Sequence, residues 1–141
     1  MGATTFALVF RGLEGDRFLI EMIQQSNLSA SMFLLLVMIV VFVLGFFIDF
    51  IEIIFIVVPV VAPVFAAYGI DLVWIGILLA LNLQTSFLTP PFGFSLFYLK
   101  GVAPEGITTG HIYRGVIPFL TIQIVVLIIV AFFPSILGIP N

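Results

Sequence analysis

Residues 115–133 run for nineteen positions without a charged side chain, and three more uncharged stretches precede them, over 32–48, 53–70 and 72–99. A helix rises about 1.5 Å per residue and the hydrocarbon core of a bilayer is about 30 Å thick, so runs of this length suit a membrane. Of the 141 residues, 63% are hydrophobic and 8% charged, where a soluble domain carries about a quarter. A chain of this size cannot hide so much apolar surface in one aqueous core. The bilayer is therefore its solvent, and the predicted fold class is an all-α polytopic membrane protein.

The chemistry open to such a chain is narrow. It has no cysteine and one histidine, His111, which excludes disulfide frameworks, thiolate metal sites and multi-histidine centres. The net charge of −3 is dispersed and no basic cluster exists, so nucleic acid is not an expected partner. Asp71 stands at a predicted helix start, where an N-cap explains it. No second aspartate in a suitable motif suggests an intramembrane protease. No catalytic residue, enzyme activity or organic cofactor is expected.

Six segments follow from the pattern. Residues 1–12 read as the end of a transmembrane helix, too short at about 15–18 Å to cross alone, so the chain reads as starting inside that helix. Residues 13–30 read as an interfacial amphipathic helix, with Phe18, Leu19, Met22 and Ile23 on one face and Arg17, Glu21, Gln24 and Gln25 on the other. Ser29 or Ser31 is the expected N-cap of the next helix.

Over 31–69, two uncharged runs flank Asp49 and Glu52. They are either two spans joined by a very tight turn or a re-entrant hairpin that turns within the membrane. The second arm is expected to be irregular, because Pro59 and Pro63 cannot donate to carbonyls four residues back. Residues 71–101 form a broken transmembrane helix and 102–113 a loop holding Glu105 and His111. Residues 114–138 are a final span, with Pro118 expected in its first turns.

The break is the informative feature. In "NLQTSFLTPPFG" (82–93) an apolar helix meets Asn82, Gln84, Thr85, Ser86 and Thr89, then two prolines. Neither Pro90 nor Pro91 has an N–H, so the carbonyls of Ser86 and Phe87 are expected to lose their helical partners. The residue before each proline is pushed to extended geometry. One half-helix, ending near Leu83, would present its negative end to the gap, and a second, starting near Phe92, its positive end. Freed carbonyls, the Thr85, Ser86 and Thr89 hydroxyls and the Asn82 amide would then make an oxygen-rich pocket suited to a hard monovalent cation such as Na⁺. Secondary transporters build midplane sites in this way. A plain proline kink satisfied by neighbouring hydroxyls is the alternative. Asp49 and Glu52, three apart, either cap the hairpin turn, pair with a helix outside this chain, or line an ion path.

The segment "NLQTSFLTPPFGFSLFYLKGVAP", preceded by "GFFIDFIEIIFIVVPVVAPV" and followed by "IYRGVIPFLTIQIVVLIIVAFFP", resembles the C-terminal end of the large membrane subunit of TRAP transporters, the DctM-like permeases. The resemblance covers nearly the whole chain, and "NLxxxxxTPPxG" is its most specific part. It implies the second half of an inverted-repeat fold: a re-entrant helical hairpin, a discontinuous helix and a final transmembrane helix. Gly45 and Asp49 match the hairpin-turn motif, where many relatives have Gly and Glu. Asn82, Thr89, Pro90, Pro91 and Gly93 match the broken-helix motif, while Ser86 departs from a common glycine.

The break and the resemblance taken together give expected Na⁺ contacts at Gly45, Asp49, Ser86, Phe87, Thr89 and Pro90, and expected substrate contacts at Asn82, Thr85 and Gly93. The resemblance further implies a sodium-driven importer of organic anions, usually carboxylates, in the bacterial inner membrane. Its partners would be a small membrane subunit, a periplasmic substrate-binding protein and the N-terminal repeat of the same permease. The Lys100 loop would be cytoplasmic, a point left open by charge because Arg11 and Arg17 balance Lys100 and Arg114. A non-transporting membrane scaffold whose polar break is a packing device is the competing reading for a chain holding one repeat.

Overall fold

The computed structural model describes residues 2–25, 28–90 and 93–138, and among them seven α-helices and no strand. In chain order these are α1 (Gly2–Gly12), α2 (Gly15–Gln25), α3 (Ala30–Leu44), α4 (Phe50–Ala67), α5 (Leu72–Leu88), α6 (Phe94–Val102) and α7 (Thr109–Phe132). A 3₁₀ turn over Pro134–Leu137 follows. Two helices, α4 and α7, are long and apolar enough to cross a membrane, and α3 and α5 are shorter apolar helices.

Oxygen-bearing side chains start the helices. Ser29, not Ser31, caps α3 and accepts from the Met32 N–H at 3.3 Å. Asp71 caps α5, its Oδ1 accepting from Val73 and Trp74 at 2.7 and 3.1 Å. Thr108 and His111 exchange hydrogen bonds in a capping box that opens α7. His111 is therefore part of a helix start rather than of the loop expected over 102–113, and the last helix begins five residues before position 114. Pro118 consequently lies ten residues into α7 instead of in its first turns.

α3 and α4 form an antiparallel hairpin closed by the turn at 45–49. Its open ends are tied: the Tyr68 hydroxyl donates to the Leu28 carbonyl at 2.7 Å, and the Phe33 and Phe65 rings pack 4.9 Å apart. α4 runs unbroken through Pro59 and Pro63, contrary to the irregular arm expected. Each proline removes one donor without dissolving the turns on either side. The core lies between α3, α4 and α5, where Val41, Ile53, Val64, Phe65, Ile75 and Leu83 are buried. α2 packs on α4 through Leu19, Ile20 and Ile23, while Phe18 and Met22 stay exposed. The expected apolar face of α2 is thus rotated toward Ile20.

α5 lies along α7 in the opposite direction. At one end the Trp74 indole N–H donates to the Val130 carbonyl at 2.8 Å. Near the other, Leu96, Ile112 and Val116 cluster with Leu88 and Leu120. The interruption between α5 and α6 thus falls beside the body of α7, which rises about 36 Å, and not beyond either end of it.

Candidate functional site

α5 continues to Leu88, five residues past the predicted end of the first half-helix, and α6 begins at Phe94. Pro91 and Phe92, where the second half-helix was expected to begin, lie outside the described residues. Thr89, the residue before Pro90, is extended at φ −82° and ψ 120°, as the sterics of a following proline require. Across that interval the Gly93 N–H donates to the Thr89 carbonyl at 3.1 Å.

A β-carbon on Gly93 would overlap the Phe87 carbonyl oxygen and lie 3.1 Å from the Thr89 carbonyl oxygen, so only glycine permits this closure. The break therefore gathers the carbonyls of Phe87 and Thr89 over the start of α6. The Ser86 carbonyl is not freed as expected: it accepts from the Thr89 N–H at 3.1 Å, a tighter last turn that replaces the bond lost to Pro90.

The polar side chains form a ladder on the last turns of α5. Thr85 Oγ1 donates to the Leu81 carbonyl at 2.7 Å, Ser86 Oγ to Leu83 at 2.9 Å, and Thr89 Oγ1 to Thr85 at 2.7 Å. These hydroxyls send their protons back into the helix rather than opening into a common pocket. Each keeps oxygen lone pairs, the property a cation requires. Asn82 is 3% exposed, and its Nδ2 donates to the Met38 carbonyl of α3 at 2.7 Å. It fastens the hairpin to the broken helix instead of facing an open site.

The hairpin turn docks on this ladder. A β-carbon on Gly45 would overlap the Ser86 hydroxyl, and the Phe50 and Phe87 rings meet edge-to-face with centroids 6.0 Å apart. The structure thus brings Gly45, Ser86, Phe87, Thr89, Pro90 and Gly93 to one junction, with Thr85 and Asn82 behind it. Asp49 caps α4, its Oδ1 accepting from the Phe50 N–H at 2.7 Å, and Glu52 lies in the first turn of that helix. Both carboxylates are exposed in this chain, so the desolvated acid pair that apolar flanks suggest is not formed by these residues alone. Among the described residues no three His, Asp, Glu or Cys side chains cluster as a metal site.

Tyr68 and Trp74 were not singled out in the sequence. The signal was there: each is an aromatic with a polar tip in an apolar stretch, and such a tip takes a partner when buried.

The family model described as "Tripartite ATP-independent periplasmic transporter, DctM component" matches residues 1–136, the whole of the hairpin and the discontinuous helix included. The chain belongs to the DctM family. A C4-dicarboxylate TRAP transporter large permease of Pseudomonas aeruginosa is 34% identical over 140 residues, which is 99% of this chain and 32% of that protein. A sialic acid TRAP transporter large permease of Vibrio cholerae is 33% identical over 135 residues, 96% of this chain and 31% of that protein. An isethionate TRAP transporter permease of Oleidesulfovibrio alaskensis is 30% identical over 133 residues, 94% of this chain and 19% of that protein. The chain spans about a third or less of these DctM relatives. They are named as transporter permeases, not enzymes.

Proposed function

We propose that this DctM chain forms an ion-binding part of the permease subunit of a sodium-driven, binding-protein-dependent secondary transporter that imports organic anions such as carboxylates across the bacterial inner membrane. The observation that carries the reading is the seat of the Gly45 turn on the Ser86–Thr89 end of α5. Two interrupted backbones meet there, where carbonyl and hydroxyl oxygens can replace the water shell of a hard cation. Irregular backbone at membrane depth is tolerated where protein or a water-filled cavity satisfies it. Its position beside the body of α7 supports that depth, and with it a hairpin that re-enters rather than spans.

The Na⁺ ligands of this reading are the Phe87 and Thr89 carbonyls and the Thr89 hydroxyl, with Gly45 and Pro90 shaping the approach. Substrate would meet the junction from the side closed by the first repeat of the permease. That repeat, the small membrane subunit and a periplasmic binding protein are the partners. The names of the relatives cover a dicarboxylate, a sialic acid and isethionate, all organic anions, which supports the substrate class. The test is uptake by the complete complex in proteoliposomes with its binding protein supplied outside. Uptake should follow an inward sodium gradient; an equal rate with potassium in place of sodium would sink the proposal.

A further inference from the structure

Trp74 sits in the first turns of α5, at the opposite end of that helix from the break. Its indole N–H donates to the Val130 carbonyl of α7 at 2.8 Å, across 56 positions of sequence. In a continuing helix that carbonyl would accept from the N–H four residues on. Here that residue is Pro134, which has no N–H. Val130 is 6% exposed, so its orphaned carbonyl lies among apolar groups, where an unpaired acceptor is costly. An indole donor and a proline-orphaned acceptor therefore satisfy each other.

We propose that Trp74 and Pro134 together make a tether that holds α5, and with it the break at its far end, in fixed register on α7 while the transporter changes state. The inference rests on the transport reading above and makes Trp74 a positioning residue. The rest of the α5–α6 contact with α7 includes the apolar cluster of Leu88, Leu96, Ile112, Val116 and Leu120. In a bilayer such contacts resist sliding weakly, because lipid tails are as apolar as the side chains they would replace. A directional hydrogen bond supplies the register that apolar packing lacks. Movement of α7 is then passed to α5 as movement of the ion site.

A double-mutant cycle on the complete permease complex tests this, using Trp74→Phe, Pro134→Ala and the pair together. Trp74→Phe should lower Tm in detergent by less when residue 134 has its own N–H, because the helix can then serve the Val130 carbonyl itself. The paired variant should keep near-wild-type Tm and half-saturating sodium, since the Gly45–Ser86 junction is untouched. Its maximal uptake rate should fall several-fold, because the Val130 carbonyl is then served within α7 and no directional bond fixes α5 upon it. An equal Tm loss in both backgrounds would show that the indole does not serve that carbonyl. Wild-type uptake by the paired variant would mean that the bond only satisfies an orphan group and transmits nothing. Both failures are read with wild-type uptake intact. A wild-type complex lacking sodium-driven uptake overturns the transport reading instead, and the tether's role falls with it.

Discussion

Gly45 and Ser86 occupy the same space to within one carbon atom: a β-carbon on Gly45 would lie 3.0 Å from the Ser86 β-carbon and overlap its hydroxyl. The backbone at Gly45 is ordinary right-handed helical at φ −61°, so contact alone demands the glycine. Ser86 cannot yield, because it is 0% exposed and its hydroxyl is bonded to the Leu83 carbonyl. Gly45→Ala should lift the hairpin turn off the break, at a cost of about 1–3 kcal/mol from overpacking. Uptake should fall, and Ser86→Gly in the same chain should restore much of it by vacating the space. If Gly45→Ala alone transports normally, the two elements are not seated as described.

Thr89 supplies both a carbonyl and a hydroxyl to the break. Thr89→Val keeps the branched shape and removes one oxygen, so the sodium concentration for half-maximal uptake should rise about fivefold, as for loss of about 1 kcal/mol. Pro90→Ala with Pro91→Ala should be more severe. Restored N–H groups would draw the carbonyls back into a continuous helix and abolish uptake in an assembled complex. Unchanged sodium dependence in both variants would move the ion site elsewhere.

The hairpin makes a topological prediction. Ser31 lies in the first turn of its first arm and Ala67 ends its second; both are exposed, and neither caps a helix. This chain contributes no cysteine of its own, and any elsewhere in the permease are replaced first. Cysteines placed singly at these two positions in the whole permease should react with an impermeant maleimide from the same face of the membrane. Labelling from opposite faces would mean that the segment crosses.

Asp49 separates two roles by two substitutions. Asparagine can still cap α4, whereas alanine cannot, so Asp49→Ala should cost about 1 kcal/mol and Asp49→Asn much less. If the carboxylate also serves the ion site, Asp49→Asn should lower uptake per assembled complex while leaving Tm near wild type. Equal uptake would leave Asp49 as a cap alone.

Much of this was legible locally. Uncharged runs define the apolar helices because a bilayer admits little else; Asp71 was readable as a cap, and the α3 cap was narrowed to Ser29 or Ser31, because a cap is a bond to a neighbour in sequence. The interruption near Thr89 was likewise readable, since proline removes a donor and restricts the residue before it wherever it occurs. Its boundaries were not. α5 gains a last turn when the Thr89 N–H bonds to the Ser86 carbonyl, and no rule of pairwise spacing says that a tighter turn will replace a lost one.

Local patterning decided where the helices and the break are; tertiary packing decided what the polar residues face. Asn82 reads as a ligand by composition, yet it donates to the Met38 carbonyl because α3 passes beside it. Thr85, Ser86 and Thr89 read as pocket walls, yet their hydroxyl protons turn inward onto α5. Trp74 finds a carbonyl orphaned by Pro134, 60 positions further along the chain. Such a partner is chosen by which backbone group lies unpaired nearby in space. Only the packed helices specify that, because the sequence order of two helices leaves their mutual register open.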